Sequence, residues 1–127
     1  LGAEVVIAYK ERKKANVIEE MFLIGDVVGK NVILIDDMID TAGTLCKAAD
    51  ILIEKGAKSV RAMATHGVLS GKAYENIEKS KISEVIVTIP VKAELSSKIK
   101  VLSCAELFAD VMKMVHEHKS ISDKFII

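Results

Sequence analysis

At 127 residues the chain suits one ordinary domain, large enough for a real core. Half the residues are apolar but only 4% are aromatic, so the interior must rest on Val, Ile, Leu, Ala and Met. A formal net charge of zero removes the electrostatic case for a general nucleic-acid or membrane-surface binder. No apolar run approaches the roughly 18 residues that a membrane span needs.

Glu4 to Ala8 reads as a buried strand, Lys10 to Lys14 as a charged loop, and Glu20 to Gly25 as a second short strand. The entry of Leu1-Gly-Ala straight into an apolar run, without an initiator Met, suggests a fragment. Gly29-Lys30 marks a turn before Asn31-Val-Ile-Leu-Ile-Asp36, whose apolar run suits a strand covered on both faces. Thr44 is placed to cap the next helix, in which Leu45, Ala48, Ala49 and Leu52 recur at helical spacing and which Gly56 ends. Ser59 to Thr65 is a strand, His66-Gly67 a turn, Lys72 to Lys79 a short helix and Glu84 to Thr88 another strand. Ile99 to Leu102 reads as the last strand. Ser103-Cys-Ala-Glu106 then forms a capping-box pattern for a helix with Leu107, Val111 and Val115 on its apolar face.

Strands alternating with helices of this length predict an α/β fold, a mostly parallel sheet flanked by helices in a single domain spanning 1–127. Cys46 and Cys104 fall inside two helical segments without metal-like spacing, which suits a reduced, cytoplasmic protein with no signal peptide. Ligands of such sheets bind beyond the carboxyl ends of the strands. Here that rule points at residues 36–44.

That segment carries the chemistry. Asp36 and Asp37 are expected where the strand runs out, and carboxylates accept hydrogen bonds from sugar hydroxyls or hold Mg²⁺ directly or through water. Asp40-Thr-Ala-Gly-Thr44 then leads into a helix. Backbone N–H groups at a helix start bind anions, Gly43 permits close approach, and Thr41 and Thr44 add hydroxyls. The same run would serve equally as a helix cap and turn. A phosphate loop of the Walker A kind is excluded, since His66 and Ile24 stand where it needs glycine before Gly71-Lys72 and Gly29-Lys30. His66, His116 and His118 form no ligand cluster, and a structural role is expected for His66.

Residues 32–44, with Asp36-Asp-Met-Ile-Asp-Thr-Ala-Gly-Thr44, resemble the phosphoribosyl-pyrophosphate motif of type I phosphoribosyltransferase folds, in the form found in ribose-phosphate pyrophosphokinases. The similarity extends to 12–16, Ile24 to Val27, Gly56-Ala-Lys58, Ala64 to Gly71 and Val101-Leu-Ser103, and it matches the C-terminal half of that enzyme. The resemblance implies transfer of the diphosphoryl group of MgATP to the 1-hydroxyl of ribose 5-phosphate, with this chain as the ribose-5-phosphate-binding domain, inactive alone. It implies that Asp40, Thr41, Ala42, Gly43 and Thr44 hold the 5-phosphate and that Asp36 and Asp37 hold the ribose hydroxyls. Lys10 and Arg12 match the cations of a mobile catalytic loop; by themselves they read as part of a solvated charge run. The resemblance also implies a homo-oligomer, commonly a hexamer, with ADP and phosphate as effectors. The main metal ligands and most of the ATP pocket are expected outside this chain.

The chain departs from the family in places. Two residues that precede Ile-Pro in the family are absent between Thr88 and Ile89, where residues are expected to have been left out rather than deleted. The family's Pro is Gly67 here, a change expected to be tolerated in a turn, and Glu11 and Lys13 replace a common Arg and Pro. Two alternatives stay open, a salvage-type phosphoribosyltransferase and a non-catalytic regulatory homologue.

Overall fold

The computed structural model describes residues 4–5, 7–11, 20–90 and 96–124. Its elements in chain order are β1 (Ile7–Glu11), β2 (Glu20–Ile24), β3 (Asn31–Ile39), α1 (Gly43–Glu54), β4 (Ser59–Gly67), α2 (Ala73–Lys79), β5 (Ile82–Pro90), β6 (Ile99–Val101) and α3 (Ala105–His116), followed by a short 3₁₀ turn. β1 and β2 form an antiparallel ribbon of their own, and β3-β4-β5-β6 form a four-stranded parallel sheet in sequence order. The α/β architecture is therefore the one expected. Among the described residues, no helix is long and apolar enough to cross a membrane.

The helix layer follows from the strand order. Each strand is added on the same side of the one before it, so right-handed crossovers carry their helices to one face. α1 and α2 lie there in contact with each other, and Ala49, Leu52, Ala73 and Ile77 are buried with Val60, Ala62, Val85 and Val87 of the sheet. Small residues on β4 let α1 come close. α1 ends as its sequence requires. Gly56 takes φ 93°, and the N–H groups of Gly56 and Ala57 bond the carbonyls of Ile53 and Leu52 at 3.0 Å each.

The opposite face corrects an expectation. β3 is not covered on both sides: Ile33 is 54% and Ile35 81% exposed. That face is bare because both crossover helices went to the other one, and α3 buries no residue. Beside these side chains, Glu84 on β5 pairs with Arg61 of β4 and Lys100 of β6.

Other boundaries move for identifiable reasons. β1 begins at Ile7 and includes Lys10 and Glu11, so these two are strand rather than loop residues, held by pairing with Met21 and Glu20. Val5, expected in a buried strand, is 84% exposed. Asp36 and Asp37 do not end their strand, since β3 pairs onward with β4 as far as Ile39. His66 and Gly67 are not a turn. They pair with Met38 and Ile39 on one side and with Ile89 and Pro90 on the other, and the chain reverses later, at Leu69 (φ 52°) and Gly71 (φ 56°). Thr88 and Ile89 are consecutive within β5, so no residue has been left out between them. Cys104 precedes α3 instead of lying inside it, and His118 lies beyond its end. Ser103 Oγ accepts the N–H of Ala105 at 3.2 Å, without the reciprocal Glu106 bond of a capping box among the described residues.

Candidate functional site

The loop between β3 and α1 opens at the carboxyl edge of the parallel sheet. Its central residue is Ala42, at φ 61° and ψ 3°, a left-handed conformation costing roughly 1–2 kcal/mol for a residue with a side chain. Sequence reasoning gave Gly43 only the role of permitting close approach and expected no special backbone at Ala42. The structure puts the left-handed residue at Ala42 and makes Gly43 the first residue of α1. A Cβ on Gly43 would meet only Thr41 Oγ1, at 3.9 Å, so the glycine leaves open space beside the helix start.

Thr44 does not cap the helix. It is the second helical residue, Ala42 occupies the cap position, and among the described residues no side chain caps the first-turn N–H groups. Ala42 supplies its carbonyl to Cys46 N–H at 2.9 Å and is buried, while Asp40, Thr41, Gly43 and Thr44 are exposed. A left-handed residue leading into helical ones turns consecutive N–H groups to the same side, and the helix dipole adds positive potential there. An anion is the ligand this geometry suits.

Two polar residues that sequence reasoning missed support the loop. Ser70, after β4, donates its hydroxyl to Asp40 Oδ1, and its N–H donates to the Asp40 carbonyl at 3.1 Å. Asn76, on α2, donates Nδ2–H to the Thr41 carbonyl at 3.0 Å. Leu69 N–H adds a bond to the Ile39 carbonyl at 3.1 Å. A Ser-Gly turn beyond a parallel strand was a usable signal for Ser70. Asn76 offered none.

The acid pair is exposed on β3. Asp36 continues the alternation of Val32 and Leu34, and beyond it the alternation breaks, since buried Ile39 shares the parity of exposed Ile33 and Ile35. Asp36 Oδ1 accepts the N–H of Asp37 at 2.9 Å. His66 is exposed on β4, flanked by Met38 and Ile89. Lys10 lies in β1; its side chain and the whole of Arg12 are outside the described residues. Among the described residues no group of three or more His, Cys, Asp and Glu side chains could hold a metal.

An open groove of about 350 Å³ runs between α1 and α2, lined by Gly43, Cys46, Asp50, Asn76 and Ser80 among others. It meets the loop at Gly43, with Asn76 of α2 across from it in the lining. Partial burial pushes the Cys46 thiol pKa up, which makes that sulfur a poor nucleophile. Cys46 and Cys104 are both free thiols.

Comparison with known proteins agrees with the resemblance read from residues 32–44. The chain is 58% identical over 128 aligned residues to the ribose-phosphate pyrophosphokinase of Wolinella succinogenes, covering 99% of this chain and 41% of that one. It is 54% identical over 128 residues to the ribose-phosphate pyrophosphokinase of Campylobacter jejuni, again 41% of the relative's length. The crystal structure of phosphoribosylpyrophosphate synthetase from Mycobacterium smegmatis superposes with a TM-score of 0.75 at 39% identity, over 87% of this chain and 37% of that one. The chain therefore spans about two fifths of the length of the curated relatives it matches. A family model described as the phosphoribosyl synthetase-associated domain matches residues 5–126. With the match running across nearly all of its length, the chain belongs to the phosphoribosyl synthetase-associated domain family.

Proposed function

We propose that this chain is the ribose-5-phosphate-binding domain of a ribose-phosphate pyrophosphokinase. In that reaction the 1-hydroxyl oxygen of ribose 5-phosphate attacks the β-phosphorus of ATP. The bond from that phosphorus to the oxygen bridging to the α-phosphate breaks, AMP leaves, and 5-phosphoribosyl 1-pyrophosphate is formed. The observation that carries the reading is the uncapped start of α1 behind left-handed Ala42, at the carboxyl edge of the sheet. Its N–H groups suit the 5-phosphate, with the hydroxyls of Thr41 and Thr44 beside them.

Asp36 and Asp37 are assigned to the ribose hydroxyls, which donate to carboxylates. Asp40 has a different task from its neighbours, because its carboxylate already accepts the Ser70 hydroxyl. It braces the loop rather than facing an anion. Lys10 and Arg12 are assigned to the transferring phosphoryl oxygens, where cations are most effective once water is excluded. Mg²⁺ bound with ATP supplies charge neutralisation on the phosphates. The remaining parts of the reading, a cytoplasmic homo-oligomer with ADP and phosphate as effectors and no turnover by this chain alone, rest on the resemblance.

Calorimetry with ribose 5-phosphate tests the site. The chain should bind it, and Gly43→Ala should fold normally, since its Cβ meets nothing closer than 3.9 Å. The added methyl should nevertheless weaken binding at least about tenfold by intruding where the phosphate approaches, a loss of about 1.4 kcal/mol. Unchanged affinity in Gly43→Ala places the phosphate elsewhere.

A further inference from the structure

We propose that Ser70 and Asn76 are positioning residues that hold the 40–44 loop in its anion-binding shape before a ligand arrives. The proposal rests on the reading of that loop as the phosphate site, and extends it to two residues outside the motif.

The loop is a strained turn. Ala42 is a residue with a side chain at φ 61°, and such a conformation persists only where its surroundings over-determine it. Among the described residues no side chain caps α1, so the loop's own side chains do not supply that restraint. The restraint comes from two other elements. On the strand side, Ser70 bonds both the carboxylate and the carbonyl of Asp40. On the helix side, Asn76 takes the Thr41 carbonyl. These bonds fix the residues immediately before Ala42. The bond from Cys46 N–H to the Ala42 carbonyl fixes the first turn of α1 after it. The loop is therefore clamped at both ends while the N–H groups of its helix start carry no side-chain cap.

The anchors are tied to the sheet and to a packed helix. Ser70 N–H and Leu69 N–H continue the line of contact beyond the last β3–β4 pair, Ile39 with Gly67. Asn76 lies on α2 between Ala73 and Ile77, both fully buried. A loop that must be shaped on each encounter binds more weakly in proportion to its competent fraction. Cutting these bonds should lower that fraction with no change in the groups that touch the phosphate.

The test uses the 127-residue chain with Ser70→Ala, Ser70→Thr and Asn76→Asp; the last keeps the shape and loses the donor. Two quantities are read: ¹⁵N relaxation order parameters of residues 41–44 without ligand, and the Kd for ribose 5-phosphate by calorimetry. Wild-type loop order parameters should match those of α1, fall in Ser70→Ala and Asn76→Asp, and recover in Ser70→Thr. The Kd should rise about fivefold to tenfold in the two deficient variants and return in Ser70→Thr. A loop as ordered in the deficient variants as in wild type overturns the proposal, whatever happens to affinity. Loss of order that Ser70→Thr does not recover overturns the role of the hydroxyl. A wild-type chain that fails to bind ribose 5-phosphate overturns the site reading instead, and the ligand-free order parameters still decide the role of Ser70 and Asn76.

Discussion

A Cβ built on Gly67 would stand 3.0 Å from Cγ1 of Val87, with Cβ and Cγ2 of the same residue at 3.1 Å. Gly67 is the last residue of β4, and the wall it faces is fully buried. The residue is needed for space, as it takes no left-handed turn. The tolerance expected of a turn position gives way to a packing constraint.

Gly67→Ala should therefore destabilise the chain by about 1–3 kcal/mol in urea denaturation, the usual range for overpacking. Combined with Val87→Ala, which removes two of the three contacting atoms, it should show a favourable coupling of about 1 kcal/mol in a double-mutant cycle. Strict additivity would mean that the crowding is relieved by backbone movement.

Lys98 terminates α2 from a distance. Its ammonium donates to the carbonyls of Ile77, Glu78 and Ser80 at 3.1, 2.9 and 2.8 Å, using all three of its donors. Lys98→Met keeps the aliphatic stem and removes the ammonium from the carbonyls of Glu78 and Ser80, while Ile77 keeps the N–H and hydroxyl of Ser80, so unfolding free energy should fall by about 1–3 kcal/mol. Hydrogen exchange at the end of α2 should accelerate more than in α1. Uniform acceleration through the domain would argue that the ammonium acts on the whole fold instead.

Glu84 sets a pH dependence. The hydrogen bond from Lys100, followed by the charges of Lys100 and Arg61, holds its carboxyl below the ordinary value of 4.5. A carboxyl depressed in the folded state stabilises it above the unfolded pKa, and that contribution is lost as pH falls through the folded value. Wild-type stability should thus drop on acidification below about pH 4.5, and Glu84→Gln should flatten that part of the curve. Titration by NMR should find the Glu84 pKa returning toward 4.5 in Lys100→Met. A Glu84 pKa unmoved by that substitution would remove Lys100 as the cause.

Local features were legible in the sequence. The order of β3, loop and α1, the apolar spacing of α1 and its Gly56 terminator all depend on residues within a few positions of one another, and each is found, although β3 runs on to Ile39. The Thr44 cap was misread because a Thr near a helix start looks like a cap wherever the helix begins. A left-handed Ala42 moved that beginning to Gly43. The pairing that makes the clamp was invisible for a plainer reason, even though the Ser-Gly turn marked Ser70 itself. Ser70 meets Asp40 across 30 positions and Asn76 meets Thr41 across 35, and no local pattern encodes such pairs.

By itself, the sequence determined the alternation of strands and helices, the parallel sheet this implies, and the place of the loop between β3 and α1, since periodicity and turn chemistry act over short spans. Only the tertiary structure decided that both crossover helices lie on one face, leaving Ile33 and Ile35 exposed. An apolar strand reads the same whether one side or two are covered, and the side each helix takes depends on strand order. The tertiary structure likewise decided that Asp40 is occupied by Ser70. That bond exists because β4 is laid down beside β3, which brings the two loops together at one edge of the sheet.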